Sequence, residues 1–493
     1  MRYAQNKNVY ESTTPHTTDW STIKWNKIEK YVDKQLKRIY HAERQGDRRK
    51  VRNLQRLLIN SDAILLMAIR KVTQINKGKR TPGIDGYRAM TDKKRGELFD
   101  MLKTRNIKYH VPKPAFRKYI KKKNGKLRSL GIPVIIDRVY QEIIRMVLEP
   151  QAEANFEPIS YGFRPKRSAH DAIKRIWINT NRGIWKWVFE GDFKSCFDTL
   201  NHEFILEQIK GFPLYNLVKR FLKAGYVDNN IFRKTTMGTP QGGLLSPLLA
   251  NIALTGLEKC LNIKYSKYGD SFRCTGDYKV VRYADDFIIL AKNKKDIMKV
   301  YDLLQPYLNQ RGLVLAKDKT KITSLYDGFD FLGFNIKFYI RNNKCLIKPS
   351  ESSIRSFKAK IKDRFTWFNG HNVEELIDGL NPLIRGTANY WRHVNSSEIF
   401  SKMDNFIWQK TYRFIRRLHP NKGWNWIKKK YFPPLVRKSG KWNWILTDRK
   451  SGKYLVKMSW YHIHYHAMIK HDYSPYDKTK KEYFVNRTKR LSV

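Results

Sequence analysis

The chain has 493 residues, of which 98 are Lys or Arg and 44 are Asp or Glu, so that its formal charge is +54. This length is enough for about three domains. So large a positive excess is suited to contacts with many phosphate groups, which indicates a nucleic acid partner. Because aromatic rings stack on bases, the interleaved 13 Trp, 28 Tyr and 25 Phe favour this partner over an anionic membrane surface.

Two further classes of protein are excluded by pattern. No run of about 18 apolar residues occurs and the N-terminus lacks an apolar signal segment, so we expect neither a membrane partner nor export, and an intracellular location. The four cysteines show no Cys-x-x-Cys pair, which argues against a disulfide framework and a zinc ribbon.

The N-terminal segment is basic and helical in pattern. Apolar residues recur at helical spacing over residues 25–61, and a second helix is expected over residues 63–74. A Gly- and Pro-rich basic loop follows at residues 76–86. Its composition fits a phosphate-binding loop and an ordinary surface connection equally well.

The most informative segment is Tyr-Ala-Asp-Asp at residues 283–286, which lies between two apolar runs and predicts a strand–turn–strand hairpin. Adjacent carboxylates are costly to bury unless a cation compensates them, which suggests a Mg²⁺ site, although an ordinary Asp-Asp turn is the alternative. A strand of aromatic residues ends at Asp192, before a helix expected to be capped by Asp198 or Thr199. Asp192 could join Asp285 and Asp286 around two divalent ions that clamp a phosphoryl transfer.

Three other segments accompany the acids, each with a structural alternative. Residues 122–128 predict a lysine-rich hairpin with Asn-Gly at its turn, suited either to gripping a triphosphate or to protecting an edge strand. Residues 238–247 form a Gly-rich turn before an apolar helix that runs through Leu254, and the turn could lie flat against a base pair. Lys319 could donate a proton to a leaving pyrophosphate, or be one more surface lysine.

In this order and spacing the motifs resemble a reverse transcriptase over about residues 50 to 345. The resemblance implies a mixed α/β right-hand polymerase with fingers and palm, an α-helical thumb, and a two-metal-ion RNA-directed DNA polymerase activity with Mg²⁺ and dNTP. It implies that Asp192, Asp285 and Asp286 are the catalytic, metal-binding acids, and that Lys319 is a candidate general acid. The nucleotide-binding residues that it implies are Lys122, Arg128, Phe193, Phe197 and Gln241. Phe197 matches the aromatic residue that excludes a ribose 2′-hydroxyl.

The subfamily resembles the proteins encoded by bacterial and organellar group II introns. The likeness rests on residues 71–78 with 81–86, on 161–170, and on 381–391, where Thr387 stands in place of the usual Trp. It implies binding of intron RNA to assist splicing, an RNA template, a target DNA primer and retrohoming by target-primed reverse transcription, in a bacterial cytoplasm or an organelle. A homodimer is one assembly that it allows. The endonuclease motifs of many relatives do not occur, so DNA cleavage is not expected.

The remaining segments complete the expected domains. Residues 350–432 predict a basic helical bundle, and beyond residue 433 alternating aromatics and histidines predict strands, with His462, His464 and His466 on one face. Zinc binding by that face is disfavoured for want of a Cys or acid partner, and a face toward nucleic acid is favoured. The expected domains are 1–110, an N-terminal extension with basic helical fingers; 111–345, fingers and palm; 346–432, the thumb or maturase domain; and 433–493, a small basic DNA-binding region.

Two other functions remain open. A maturase that only binds RNA would need none of the three acids, so their joint presence argues against it. An RNA-dependent RNA polymerase must accommodate a 2′-hydroxyl, which Phe197 disfavours.

Overall fold

The computed structural model describes residues 18–121, 125, 127–229, 231–239, 242–268, 271–437 and 440–492. Two of the expected nucleotide-binding residues, Lys122 and Gln241, lie outside these ranges. Within them, no helix combines the length and the apolar character that crossing a membrane requires.

Helices form the N-terminal segment. They are α1 (Trp25–Arg44), α2 (Arg48–Ile59) and α3 (Asp62–Arg70), where the apolar spacing predicts helix, and α4 (Asp92–Lys103), which was not predicted. The expected helix over residues 25–61 is divided in two, because the Asp47 side chain accepts a hydrogen bond from the Lys50 amide and starts α2 anew. The expected second helix leaves α-helical geometry at Lys71 and ends in a π-helical turn, Lys71–Ile75.

The predicted lysine-rich hairpin is present as β1 (Ala115–Lys121) and β2 (Leu127–Ile132), which are antiparallel with Lys121 opposite Leu127. After it come the long, largely buried helix α5 (Ile135–Asn155), helix α6 (Ala169–Thr180) and strand β3 (Trp187–Asp192). The N-terminal helices and α5 pack together in one apolar core.

Short helices and strands connect β3 to the rest of the palm. They are α7 (Cys196–Thr199), α8 (His202–Gln208), α9 (Tyr215–Lys223), β4 (Tyr226–Asp228), β5 (Ile231–Arg233), α10 (Ser246–Ala253) and α11 (Leu257–Cys260). The cap prediction is wrong: Asn201 caps α8, accepting hydrogen bonds from the amides of Glu203 and Phe204, because the chain turns once more after α7. Strand β4 pairs in parallel with β1 and extends the fingers sheet in the order β2-β1-β4-β5.

The palm sheet has the strand order β10-β3-β9-β8, with all neighbours antiparallel. The elements that complete this part of the chain are β6 (Lys264–Tyr268), β7 (Ser271–Thr275), β8 (Tyr278–Tyr283), β9 (Asp286–Ala291), α12 (Lys294–Met298), α13 (Val300–Arg311) and β10 (Lys321–Ser324). Side chains alternate along β9: Phe287 and Ile289 join the core of the N-terminal and fingers helices, whereas Ile288 and Leu290 join the core of the thumb side. The palm sheet therefore separates two apolar cores.

The thumb side begins with a three-stranded antiparallel sheet and continues as a helical bundle, as predicted for residues 350–432. Its elements are β11 (Phe329–Phe331), β12 (Phe334–Tyr339), β13 (Lys344–Pro349), α14 (Glu351–Trp367), α15 (Val373–Trp391), α16 (Ser397–Leu418) and α17 (Trp424–Tyr431). Thr387 is half-buried in α15 and its hydroxyl donates to the Leu383 carbonyl oxygen at 2.8 Å, so helix geometry is kept where relatives usually have Trp.

The C-terminal region departs from the strand prediction. A short hairpin, β14 (Leu435–Arg437) with β15 (Gly440–Trp442), is followed by irregular chain and by α18 (Lys481–Ser492). The segment around His462, His464 and His466 forms no strand. Its backbone instead contacts the thumb, as where the His464 amide donates to the Arg392 carbonyl oxygen at 3.0 Å. These long-range hydrogen bonds replace the ladder that an alternating pattern alone predicts.

Candidate active site

The Tyr-Ala-Asp-Asp segment forms the predicted hairpin. Tyr283 at the end of β8 pairs with Asp286 at the start of β9, so that Ala284 and Asp285 make a two-residue turn. Ala284 has φ of +57°, a left-handed conformation that non-glycine residues rarely adopt and that costs of order 1 kcal/mol. The strain is retained because the strands on both sides are buried and fully paired.

Asp192 and the Asp pair, 93 residues apart along the chain at their nearest, meet on the palm sheet. In the β3–β9 register, Asp192 lies directly opposite Asp286, and Asp285 follows in the adjoining turn. The Asp192 carbonyl oxygen accepts a hydrogen bond from the Ala316 amide at 2.8 Å, which holds the end of β3 in place. The three predicted acids therefore lie together at one end of the two inner strands, β3 and β9.

Lys319 lies at the same end of these strands. Its Nζ is 2.5 Å from Asp192 Oδ2, and this hydrogen bond raises the pKa of the lysine amine. Lys321, two residues on, turns to Glu190 instead, at 3.3 Å. The structure thus singles out one lysine of the basic segment as a neighbour of the acids, and that lysine stays protonated at neutral pH.

The electrostatics of the acids favour a cation. The pKa of Asp285 is raised, first by desolvation and then by repulsion from Asp192. Desolvation, followed by repulsion from Asp285 and Asp192, raises the pKa of Asp286 to about 7, although the residue as a whole is exposed. Carboxylate oxygens are the ligands that Mg²⁺ prefers, and a divalent ion would relieve this repulsion, so the donor set fits magnesium.

Buried residues that were not predicted from the sequence hold the hairpin turn in place. Arg282 is 0% exposed, and its Nη1 donates to the Ala284 carbonyl oxygen and to Asn251 Oδ1, both at 3.2 Å. Asn251 in turn donates to the Gly162 carbonyl oxygen at 2.8 Å. A Cβ on Gly162 would lie 2.4 Å from the Ala284 amide nitrogen, so only glycine fits there. The Gly-Phe-Arg-Pro motif signals this position, but the contact with the hairpin is not visible in the sequence.

The expected nucleotide-binding residues are partly brought together. Arg128 lies on β2, and its charge lowers the pKa of Asp285 against the dominant effects that raise it. Phe197 is 9% exposed, and its carbonyl oxygen accepts a hydrogen bond from the Thr239 amide at 2.5 Å, which ties α7 to the Gly-rich turn. A cavity of about 380 Å³ lies beside this contact, between β2 and the turn, lined in part by Ser129, Asp198 and Thr239.

Phe193, an expected nucleotide-binding residue, follows Asp192 directly, and its ring is buried. Its ring is 2% exposed and packs against Phe287, with ring centroids 4.9 Å apart. Asp192 points toward the open edge of the sheet, and the next side chain along the chain points into the core, because successive residues of an extended chain face opposite sides. Only the backbone of Phe193 is available at this position.

Three family models match successive parts of the chain. The family described as "Reverse transcriptase (RNA-dependent DNA polymerase)" matches residues 120–336, the N-terminal domain of reverse transcriptase matches residues 20–102, and the group II intron maturase-specific domain matches residues 354–432. A solved telomerase from Candida Tropicalis, in complex with a fragment of telomeric RNA, is 17% identical, with 67% of this chain and 63% of that chain covered and a TM-score of 0.39. That likeness is too low to carry an argument.

Two bacterial relatives are more informative. Protein YkfC of Escherichia coli (strain K12) is 33% identical over 324 residues, which cover 58% of this chain and 83% of YkfC. The group II intron-encoded protein LtrA of Lactococcus lactis subsp. cremoris is 31% identical over 431 residues, which cover 70% of each chain. With the matched domains in the order reverse transcriptase and then maturase, the chain belongs to the group II intron-encoded reverse transcriptases, with a right-hand polymerase fold.

Proposed function

We propose that this chain synthesises DNA on an RNA template by a two-metal-ion reaction at Asp192, Asp285 and Asp286. The observation that carries the proposal is the β3–β9 register, with Asp192 opposite Asp286 and Asp285 in the adjoining turn. When bound, a pair of Mg²⁺ ions would polarise the primer 3′-hydroxyl and stabilise the leaving pyrophosphate. The carboxylates would hold these ions, and their raised pKa values fit that role.

Other side chains have distinct proposed roles in the same reaction. Lys319, protonated and 2.5 Å from Asp192, would give its proton to the departing pyrophosphate. Arg128 and Lys122 would hold the triphosphate of the incoming dNTP, the first through a bidentate fork. The ring of Phe197 would exclude a ribose 2′-hydroxyl, and Gln241 would line the nucleotide pocket.

We further propose that the basic thumb and N-terminal helices bind the intron RNA and assist its splicing. A cavity of about 760 Å³ between thumb helices α16 and α17 and the start of the C-terminal region is lined by four aromatic rings, Trp408, Tyr412, Trp424 and Trp444. Such rings can stack on unpaired bases, while the surrounding lysines contact phosphates. The relative LtrA is itself intron-encoded by name.

The proposed division of labour keeps the expected domains. Residues 1–110 and 111–345 would carry the template and the chemistry, 346–432 the intron RNA, and 433–493 the target DNA primer for retrohoming by target-primed reverse transcription. A homodimer is a separate proposal, which the roles of the domains do not depend on. The action would take place where group II introns reside, in a bacterial cytoplasm or an organelle.

Primer extension on an RNA template with purified protein tests the polymerase. The wild-type chain should extend the primer with dNTP in Mg²⁺ and not in its absence, and Asp285→Asn should abolish extension while binding of structured intron RNA is retained. Asp302→Asn, a change of an exposed acid on α13, is the matched control and should extend normally. Extension by Asp285→Asn at the wild-type rate would remove the metal assignment. RNA binding by a wild-type chain that extends no primer would instead support a maturase without polymerase activity.

A further inference from the structure

Three histidines from distant segments meet away from the aspartate site. His170 is in the first turn of α6, His393 follows α15, and His466 lies in the irregular C-terminal segment. Their ring centroids are 4.5 Å apart for His170 and His393, 5.5 Å for His170 and His466, and 5.4 Å for His393 and His466. One ring nitrogen from each lies within 4.8 Å of those of the other two, the only such group of three His, Cys or acidic residues in the part of the chain that the structure describes.

Each imidazole is oriented by an oxygen on its outer side. His170 Nε2 is 2.8 Å from the Tyr390 carbonyl oxygen, and His393 Nδ1 is 2.7 Å from the His464 carbonyl oxygen. His466 Nε2 is 3.1 Å from Asp171 Oδ1. Carbonyl and carboxylate oxygens only accept, so these three nitrogens carry the hydrogen atoms. This is the arrangement that surrounds histidine ligands in metal sites, where an outer acceptor fixes the tautomer and the ring orientation.

The tautomers leave one lone pair on each ring for a metal. In His466 the remaining nitrogen, Nδ1, is buried and has no hydrogen-bond partner among the described residues, although the side chain is only 6% exposed. Arg487 Nη2 also approaches His466 Nε2, at 3.4 Å, but it donates to Asp171 Oδ1 at 2.7 Å, and the shorter His466–Asp171 contact decides the tautomer. Leaving a buried nitrogen without a hydrogen bond is unfavourable, and a bound ion would offset that cost.

The surroundings suit a small ion and one further ligand. A cavity of about 30 Å³ adjoins the three rings and is also lined by Ile173, Lys174 and Trp177. This is room enough for a small ion or a water molecule. Burial lowers the pKa of His170, and lowers that of His393 to about 4, so both rings are neutral at physiological pH, the form that binds metals.

We propose that His170, His393 and His466 bind one zinc ion, with a water or hydroxide as fourth ligand. Imidazole nitrogens suit zinc, whose bonds of about 2.0–2.1 Å place tetrahedral nitrogens about 3.4 Å apart. Binding would therefore draw together the three ring nitrogens, which lie within 4.8 Å of one another in this structure. The ion joins the palm helix α6, the end of the thumb helix α15 and the C-terminal region, so its role is structural. It involves none of the residues of the proposed polymerase site.

The test is the metal content of the full chain, purified without a histidine tag, dialysed against EDTA and reloaded with ZnCl₂. We expect about one zinc per chain in the wild type and near none in His393→Gln, which removes one of the three imidazole ligands. His462→Ala is the matched control, since His462 is exposed in the same segment and should leave the zinc content unchanged. Zinc should also raise the melting temperature of the wild type and of His462→Ala, but not of His393→Gln.

A second measurement needs no variant. Co²⁺ added to the metal-free wild type should give the intense visible absorption of a tetrahedral site, and Zn²⁺ should abolish it. A wild type that binds no more zinc than His393→Gln, or a cobalt spectrum without these bands, would overturn the proposal. These readouts are metal content, absorption and thermal unfolding, so a negative result would contradict the zinc site and leave the polymerase proposal untouched. A chain that binds zinc but extends no primer would contradict the polymerase proposal and leave the zinc site in place.

Discussion

The aspartate site on the palm sheet and the histidine cluster, which joins α6, the end of α15 and the C-terminal region, both gather metal-ligand side chains from distant segments. Burial hinders metal binding by the carboxylates and helps it at the imidazoles. Desolvation raises the pKa of Asp286 to about 7 and lowers that of His393 to about 4, so in both places it favours the neutral form. For an imidazole the neutral form is already the ligand, whereas a carboxylate must ionise first. Carboxylate oxygens suit an exchangeable magnesium ion, and neutral imidazole nitrogens suit zinc.

The strongest test of this difference is Asp192→Asn. Because Asp192 lies opposite Asp286, its loss should lower the rate of primer extension by about 1,000-fold or more, the scale of removing several kcal/mol of metal-ion stabilisation. The zinc content should stay at the wild-type level. Loss of zinc together with activity would show that the two sites are not independent.

Lys319→Ala should have the next largest effect, with Lys321→Ala as the matched control. Both lysines are exposed and paired with an acid, but only Lys319 contacts Asp192. A general acid contributes about 100-fold or more to rate, so we expect that loss in single-turnover extension by Lys319→Ala and little change in Lys321→Ala. The pH–rate profile of Lys319→Ala should also lose its fall at alkaline pH. Equal losses of rate in the two variants would mean that Lys319 contributes only its positive charge and is not the general acid.

Gly162→Ala tests the support under the hairpin. The added Cβ would lie 2.4 Å from the Ala284 amide nitrogen, so the turn that carries Asp285 must move. A displacement of about 1 Å at reacting groups can cost up to about 100-fold in rate, which we expect in primer extension, together with a lower melting temperature because the added Cβ meets backbone. Gly386→Ala is the control, because Gly386 lies in α15 with nothing within 4 Å of an added Cβ. Full activity of Gly162→Ala would mean that the hairpin tolerates the shift.

Phe197→Ala should change selectivity more than rate. Removing the ring that is proposed to meet the 2′-hydroxyl should raise ribonucleotide incorporation relative to deoxynucleotide incorporation by about 10-fold or more, as expected for relief of a steric clash. The measurement is competitive single-nucleotide extension on an RNA template. Unchanged sugar selectivity would discard the steric gate.

The smallest expected effect is a pH dependence of the stabilisation by Mg²⁺. The pKa of Asp286 is raised to about 7, so its contribution to stability is present below about pH 4, the ordinary pKa of Asp, and is lost as the pH rises through 7. Mg²⁺ needs the ionised carboxylate, and should therefore raise the melting temperature more at pH 8 than at pH 6. Asp286→Asn should remove this difference. An equal Mg²⁺ shift at both pH values in the wild type would contradict the proposed coupling.

Much of the fold and of the aspartate site could be predicted because local chemistry determines it. Alternating apolar residues and the Asp-Asp turn predict the hairpin of β8 and β9, and helical spacing predicts the N-terminal and thumb helices. The C-terminal strands were predicted by the same kind of pattern and are wrong around His464, because hydrogen bonds to the thumb take the place of a ladder. Nucleotide binding by Phe193 stays a prediction, and since its ring packs in the core, the backbone is the part of this residue that could take it up.

The sequence by itself determined the identity and order of the acids, the strand and helix patterns, and the positive charge that a nucleic acid partner requires. Only the tertiary structure decided which residues meet: Arg282 and Gly162 under the hairpin, Lys319 rather than Lys321 at Asp192, and His466 with His170 and His393. The physical reason is that periodicity and turn chemistry act over a few residues, whereas buried polar partners are chosen by packing between segments up to 296 residues apart.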